Sequence, residues 1–247
     1  MHQRLRQYLQ KKVRRSKHKC LIEGEKLCRE ALSSGIAIDV LVYARGEGKR
    51  FTEILRHPGV QKSYVTTVSE IRHLSGVETP QGIVGLISFP ISQSEPGTIP
   101  THRRYIALDA ISDPGNVGTI IRSASWYGWD GVLCGTDTAE AANEKVIRSS
   151  MGAVFHLPIW EQQFLPEVLR KLKKRGFTII GTKPQGGITV MKTIPDKVIL
   201  VIGSEAAGIS PEITQLCDVI FTIQGFGKAE SLNAAVCASI LADRLTR

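Results

Sequence analysis

Five polar residues in three short stretches are placed where chemistry could be done. "SDPGNVGTIIR" sets Asn116 six positions ahead of Arg122, "VIGSEAAGIS" carries Glu205 just past an apolar strand, and "GKAESLNAAV" puts Ser231 and Asn233 at the opening of a helix. Carboxamides, a guanidinium, a carboxylate and a hydroxyl, brought to one place, can orient a nucleophile and stabilise a developing oxyanion without a metal. Each also has an ordinary structural role. Asn116, Ser231 and Asn233 could be helix caps, and Glu205 a solvated loop acid. Arg122 is less easily dismissed, because a guanidinium on a helix of apolar and small residues needs an anionic or hydrogen-bonding partner.

The surrounding elements would position these residues together. From "YIALDA" onward, strand-like runs alternate with helical ones: "VGTIIRSASWYG", "GVLCG", "AANEKVIRSSMGA", "LPEVLRKLKKRG", "FTIIGT", "KVILVIG", "SPEITQLC", "VIFTI" and "SLNAAVCASILADRL". Continuous apolar strands separated by helices predict an α/β fold with a mostly parallel sheet covered on both faces. In such sheets ligands sit beyond the carboxyl ends of the strands, where the three stretches fall. In the last helix Leu232, Val236 and Ile240 recur every four residues and predict a core face.

A Ser, Pro, Gly and Thr-rich segment at 88–104 predicts a boundary, giving domains of 1–95 and 96–247. The first is a small alternating α/β unit without a chemical motif. "LIEGEKLCREALSSG" reads as a helix closed by Gly35, "IDVLVYAR", "QKSYVTTV" and "QGIVGLISF" as strands, and "FTEILRHPG" and "SEIRHLSGV" as short helices.

The 247 residues, 42% of them hydrophobic, suffice for one large or two modest domains. No apolar stretch is long enough for a bilayer, and the basic opening lacks a signal-peptide core, so a cytoplasmic protein is expected. Five scattered cysteines without a CxxC pair predict reduced, mostly packed thiols and no zinc site. A net charge of +9 favours an anionic partner, nucleic acid above all. That charge is concentrated: residues 1–95 hold 16 Lys and Arg against 9 Asp and Glu, and residues 96–247 hold 16 against 14. The opening "MHQRLRQYLQKKVRRSKHK" has eight basic residues and no acid, which suits either a solvated tail or a phosphate-binding arm.

A dinucleotide enzyme is disfavoured. "GFGKAE" has glutamate where the fingerprint needs its third glycine, and it follows the last strand rather than the first. Walker, metal-ligand and nucleophile-elbow patterns are absent from the sequence. His156, in "VFHLPIW", reads as a packed core or interface histidine.

"DAISDPGNVGTIIRSASWYGWDGV", "VILVIGSEAAGIS" and "FTIQGFGKAESLNAAVCASIL", in that order, resemble the three motifs of SpoU-type RNA ribose 2′-O-methyltransferases, of the SPOUT class. "NEKVIRSSMGAVFHLPIW" also looks like the family, and the likeness covers 103–247. Residues 17–87 are similar to the ribosomal-protein-like accessory RNA-binding domain of members that act on ribosomal RNA.

The resemblance implies a deep C-terminal trefoil knot and a homodimer formed through the catalytic domain, with Arg148 and 149–157 at the subunit interface. Residue patterns alone stop at an open sheet, because knots are rare. It implies S-adenosylmethionine as methyl donor, with no metal and no membrane partner, and RNA as substrate, ribosomal RNA ahead of transfer RNA. Asn116, Arg122, Glu205, Ser231 and Asn233 become the catalytic set. Thr182, with Gly181 beside it, Gly203, Ile223 and Leu232 become donor contacts, made largely by backbone. Gln224 and Gly225 stand where family members usually have Pro-Met, which predicts a donor loop that is looser or differently shaped here.

The family's suggestion of Arg122 as a base conflicts with a guanidinium pKa above about 12. A cation gripping the target phosphate and the developing 2′-alkoxide suits its chemistry better. Glu205 would then orient Arg122 or Asn116. The rival readings are a non-catalytic RNA-binding module of the same fold and a nucleotide-dependent oxidoreductase. The first needs no joint Asn116, Arg122 and Glu205, and the second lacks its fingerprint.

Overall fold

The computed structural model describes residues 2–75, 77–89 and 104–246. Most of the predicted linker, 90–103, lies outside them. The chain divides into two compact units, Met1–Pro90 with Ala142–His156, and Ile91–Ala141 with Leu157–Arg247. Residues 142–156, which the sequence boundary places in the second domain, thus group with the first unit.

The first unit opens with helices α1 (His2–Arg6) and α2 (Lys11–Lys17), followed by β1 (Lys19–Glu23) and α3 (Glu25–Ser33). Then come β2 (Ile38–Ala44), α4 (Thr52–Arg56), β3 (Ser63–Thr66), α5 (Val68–Leu74) and β4 (Ile83–Ser88). The strands form a sheet in the order β1-β4-β2-β3, with β4 antiparallel to both neighbours and β2 parallel to β3.

Two sequence expectations change here. The helix predicted from Leu21 is a strand, and the helix proper starts at Glu25; Gly24, at φ 96°, makes the break that a side chain resists. The basic opening is not a free tail either. Leu5 is buried in one cluster with Ile71 and Leu74, Tyr8 and Leu9 pack against it, and Arg14 donates to Leu9 O at 2.5 Å. Its cations Arg4, Arg6, Lys11, Lys12, Arg15 and Lys17 still face outward.

The second unit begins with β5 (Arg104–Asp109), α6 (Pro114–Trp126) and β6 (Gly131–Gly135). After α7 (Glu144–Ser150), which belongs to the first unit, it resumes with β7 (Ile159–Gln163), α8 (Leu165–Lys174), β8 (Thr178–Thr182) and β9 (Val198–Gly203). It closes with α9 (Pro211–Leu216), β10 (Val219–Phe221) and α10 (Ala234–Arg244). Six parallel strands lie in the order β10-β8-β9-β5-β6-β7, as the apolar strand and helix alternation predicts. Strand β7 is an addition to the predicted set. Its buried Ile159 and Trp160 are followed by three polar residues, a weak pattern for an edge strand. Trp160 packs edge-on to Tyr105, 5.7 Å between centroids, in a core shared with Leu133, Leu169, Leu172 and Ile199.

Helix α10 corrects a third expectation. Leu232 and Val236 are 47% and 46% exposed, and the buried face is Ala234, Ala235, Ala238, Leu241 and Ala242. Small residues line that side because α10 lies close against α6, where the Ser123 and Ser239 hydroxyls meet at 2.7 Å. An alanine face is nearly silent in a hydrophobicity pattern.

His156 is exposed rather than core. Its Nε2 lies 2.7 Å from Glu30 Oε1 and 3.2 Å from the Ser34 hydroxyl, within the first unit. Among the described residues no helix is long and apolar enough to cross a membrane, and no group of His, Cys, Asp and Glu could hold a metal ion. The five cysteines are free thiols.

Candidate active site

Strands β5, β8 and β9 lie side by side in parallel, so their carboxyl ends open on one edge of the sheet. Beyond β5 the chain turns into α6 with Asp113 as its cap, whose Oδ1 accepts from Asn116 N at 2.9 Å, while Pro114 fills the first turn. Asn116 is therefore not the cap, and its side chain is free for other work. Helix α10 starts beside it, capped by Asn233, whose Oδ1 accepts from Ala235 N at 2.9 Å and Val236 N at 3.3 Å.

Between the two helix starts lies Glu205. Its Oε1 accepts from Asn116 Nδ2 at 3.0 Å, from Asn233 Nδ2 at 2.8 Å and, more weakly, from Ala234 N at 3.4 Å. Asn233 Nδ2 also donates to Asn116 Oδ1 at 3.0 Å. One carboxylate oxygen thus binds two carboxamides contributed by separate helices. The N-terminal ends of α6 and α10 add a positive backbone field that favours the anion. Asn233 combines capping with this contact.

Arg122 and Ser231 stand apart. Arg122 is exposed and makes no hydrogen bond or ion pair among the described residues. It follows Asn116 by six residues on α6, about 9 Å along the axis and roughly a third of a turn around it. Glu205 accordingly orients Asn116, and the expected pairing of Glu205 with Arg122 is absent. Ser231 is also exposed, with no hydrogen bond among the described residues.

The loop carrying Glu205 is tightly built. Ser204 and Gly208 exchange backbone hydrogen bonds at 3.1 and 2.8 Å, and Ser204 Oγ accepts from Ala207 N at 3.1 Å. A Cβ on Gly203 would meet Gly208 C at 2.1 Å, so the turn demands glycine there. Asp109, at the end of β5, fixes the far side of the loop by accepting from Ser210 N at 2.7 Å. Asp109 and Asp113 are not among the candidates drawn from the sequence. A carboxylate ending a strand, and an aspartate before Pro-Gly-Asn, were the available signals.

The proposed donor contacts differ in character. Thr182, ending β8, donates its hydroxyl to Val201 O at 3.1 Å. Gly181 serves packing, since Cys217 Sγ and Ile220 occupy the space of a side chain. From Ile223 to Leu232 no backbone N–H is hydrogen-bonded among the described residues, and Leu232 is half exposed. An adenosine moiety needs such unpaired backbone donors and acceptors, so 223–232, with Gly203 and Thr182, fits an adenosine-bearing donor.

Comparison with known proteins agrees with the motifs. The model of the SpoU rRNA Methylase family matches residues 103–243, and that of the MRM3-like substrate binding domain matches residues 3–85. The 23S rRNA (guanosine(2553)-2'-O)-methyltransferase RlmP of Bacillus subtilis is 36% identical over 94% of this chain and 90% of its own. A putative TrmH family tRNA/rRNA methyltransferase of Staphylococcus aureus is 30% identical over 90% of this chain and 93% of its own. The crystal structure of the SpoU methyltransferase AviRb from Streptomyces viridochromogenes, in complex with the cofactor AdoMet, matches with a TM-score of 0.89 at 26% identity. That match covers 99% of this chain and 96% of AviRb. With the family model spanning more than half of its length and relatives aligned nearly end to end, this chain belongs to the SpoU rRNA Methylase family.

Proposed function

We propose that this protein methylates a ribose 2′-hydroxyl in ribosomal RNA, with S-adenosylmethionine as donor. The observation that carries the site assignment is the three-residue network of Asn116, Glu205 and Asn233 at the carboxyl edge of the parallel sheet. Ribosomal RNA is favoured by the RlmP relative and by the MRM3-like first domain.

When bound, the sulfonium donor supplies an activated methyl group, so the protein's task is orientation and charge stabilisation. Thr182, Gly203, Ile223 and Leu232 would hold it, chiefly through backbone atoms. Glu205 Oε2 accepts no hydrogen bond among the described residues and is available to the ribose hydroxyl. Asn116 and Asn233 keep that carboxylate aimed. Arg122 is the cation for the target phosphate and the developing alkoxide. The hydroxyl proton leaves to solvent. Ser231, on the exposed approach to α10, is a further hydroxyl for the substrate.

The deep knot and the homodimer belong to the same proposal. Thr222, just past β10, donates to Lys183 O at 3.1 Å and accepts from Gly187 N at 2.9 Å, tying the segment after β10 to both ends of the 183–187 turn. That contact between the segment after β10 and the β8 to β9 connection supports the knot. The exposed Trp126 on α6, Val236 on α10 and Leu232 just before α10 support burial against a second copy.

The test is mass-spectrometric mapping of ribose methylation in total RNA from cells with and without the gene. One 2′-O-methylated ribosomal nucleotide should vanish with the gene. A loss confined to transfer RNA would overturn the substrate, and an unchanged map would overturn the activity.

A further inference from the structure

The first unit contains a cavity of about 580 Å³ lined by Glu23, Val77, Glu78, Thr79, Gln81 and Arg148. Two of the lining residues carry an atom withdrawn from solvent, Glu23 Oε2 and Arg148 Nη1, that has no hydrogen-bond partner among the described residues. The other carboxylate oxygen of Glu23 is held by the Ser75 hydroxyl at 2.6 Å. Arg148 Nη1 has Glu144 Oε2 only at 4.0 Å, a charge contact too long for a hydrogen bond. A buried acceptor and a buried donor left without partners are costly, and native proteins usually satisfy both. Here the two residues that carry them line the same cavity.

The lining selects among ligands. Two acids against one arginine disfavour a phosphate or other small anion, and the arginine disfavours a cation. What remains is a neutral, planar group that presents hydrogen-bond donors on one edge and acceptors on another. We propose that the cavity receives an unpaired nucleobase of the RNA substrate, with guanine the best match; this rests on the RNA methyltransferase function proposed above. Guanine offers N1–H and N2–H to the Glu23 carboxylate, and O6 and N7 to the Arg148 guanidinium. Adenine and cytosine offer the carboxylate only one amino group, and uracil only one imide N–H. Val77 supplies an apolar wall, while Thr79 and Gln81 supply polar groups at the mouth. Bases splayed out of single-stranded RNA are commonly recognised on these edges.

The test uses the full-length protein labelled with nitrogen-15 and titrated with 5′-GMP, 5′-IMP, 5′-AMP, 5′-CMP and 5′-UMP. GMP should produce saturable shifts in the Gln81 side-chain amide and the backbone of 77–81. IMP, which lacks the 2-amino group, should bind about tenfold more weakly, the effect of one lost hydrogen bond to a charged group. Glu23→Gln should erase the preference for GMP over IMP, and Arg148→Gln should weaken GMP by a similar factor. If either variant fails to fold, the GMP and IMP comparison on the unaltered protein, with the exposed variant Gln81→Ala, decides the matter. Equal shifts with all five nucleotides, or none at their solubility limits, overturn the proposal. Methyl transfer to ribosomal RNA is measured on the same preparation. Transfer without GMP binding removes the base pocket alone, whereas absence of transfer removes the function on which it rests.

Discussion

Replacing Glu205 with glutamine keeps an acceptor of the same shape and removes the charge. The structure sets the size of the effect. Glu205 Oε1 binds two side-chain amides, at 3.0 Å to Asn116 and 2.8 Å to Asn233, and a third, longer backbone donor at 3.4 Å. Bonds to an ionised acceptor are roughly twice as strong as neutral ones. Because Glu205 is exposed, each amide bond should lose only about 0.5–1 kcal/mol, and the pair about 1–2 kcal/mol of positioning. That corresponds to a fall in methyl transfer of roughly fivefold to thirtyfold. Arg122→Lys keeps the charge but loses the forked donor geometry, and should cost about 100-fold or more. The network also fixes how these losses combine. Arg122 does not touch Glu205, so Glu205→Gln with Arg122→Lys should be additive within about 0.5 kcal/mol. Glu205→Gln with Asn116→Ala should fall short of additive by about 1 kcal/mol, since both break the same bond. Single-turnover methyl transfer against pH, on saturating RNA and donor, measures all five variants. A nearly inactive Glu205→Gln that loses a pKa from the rate profile would make Glu205 the base and refute the positioning role. Strong coupling to Arg122 would refute the geometry, and full activity of the single variants would return Glu205 to an ordinary loop acid.

Replacing Arg4, Arg6, Lys11, Lys12 and Arg15 with glutamine leaves the packing of Leu5 intact, and should flatten the salt dependence of RNA binding by roughly 0.7–0.9 for each phosphate no longer neutralised; an unchanged slope in filter-binding titrations would exclude the arm from the RNA surface. Trp126→Glu combined with Val236→Glu should convert the proposed dimer to monomer in sedimentation velocity, and a monomeric unaltered protein would refute that dimer. Burial pushes the Cys28 thiol up to about 12 and those of Cys217 and Cys237 up to about 11, and it raises Cys134 as well. Above about pH 9 the unfolded chain therefore releases thiol protons that the folded chain retains, so the urea midpoint should fall between about pH 8 and about pH 10, and Cys237→Ala should reduce that fall.

The architecture was legible because its strands are continuous apolar runs. "VILVIG" and "YIALD" are buried on both faces, and nothing but a covered parallel sheet accommodates them. What escaped were features whose signal is not hydrophobic. Residues 19–23 read as helix because Leu21 and Ile22 fit either period, and only the backbone at Gly24 separates strand from helix. Strand β7 has two apolar residues, too few for alternation to register. The packing of α1 depends on Leu5 reaching a cluster formed some 65 residues later, which local patterning does not reveal.

At the site, residue types located the network, but only three-dimensional contact could divide it. Asn116, Glu205 and Asn233 come from stretches 28 to 117 residues apart and share one carboxylate oxygen. Asparagine suits this task because its carboxamide both donates and accepts. Asn233 caps α10 through Oδ1 while holding Glu205 through Nδ2, so the turn that starts the helix also fixes the carboxylate. Aspartate at 233 would keep the cap but set a second anion against Glu205, and serine would keep the cap without reaching it. The same economy explains Arg122. Six residues and roughly a third of a turn beyond Asn116 on α6, it makes no ion pair with Glu205. An ion pair would have tied both groups to each other. In the proposed reaction their separation leaves a carboxylate oxygen and a guanidinium for one ribose and its phosphate, as transfer to a 2′-hydroxyl requires.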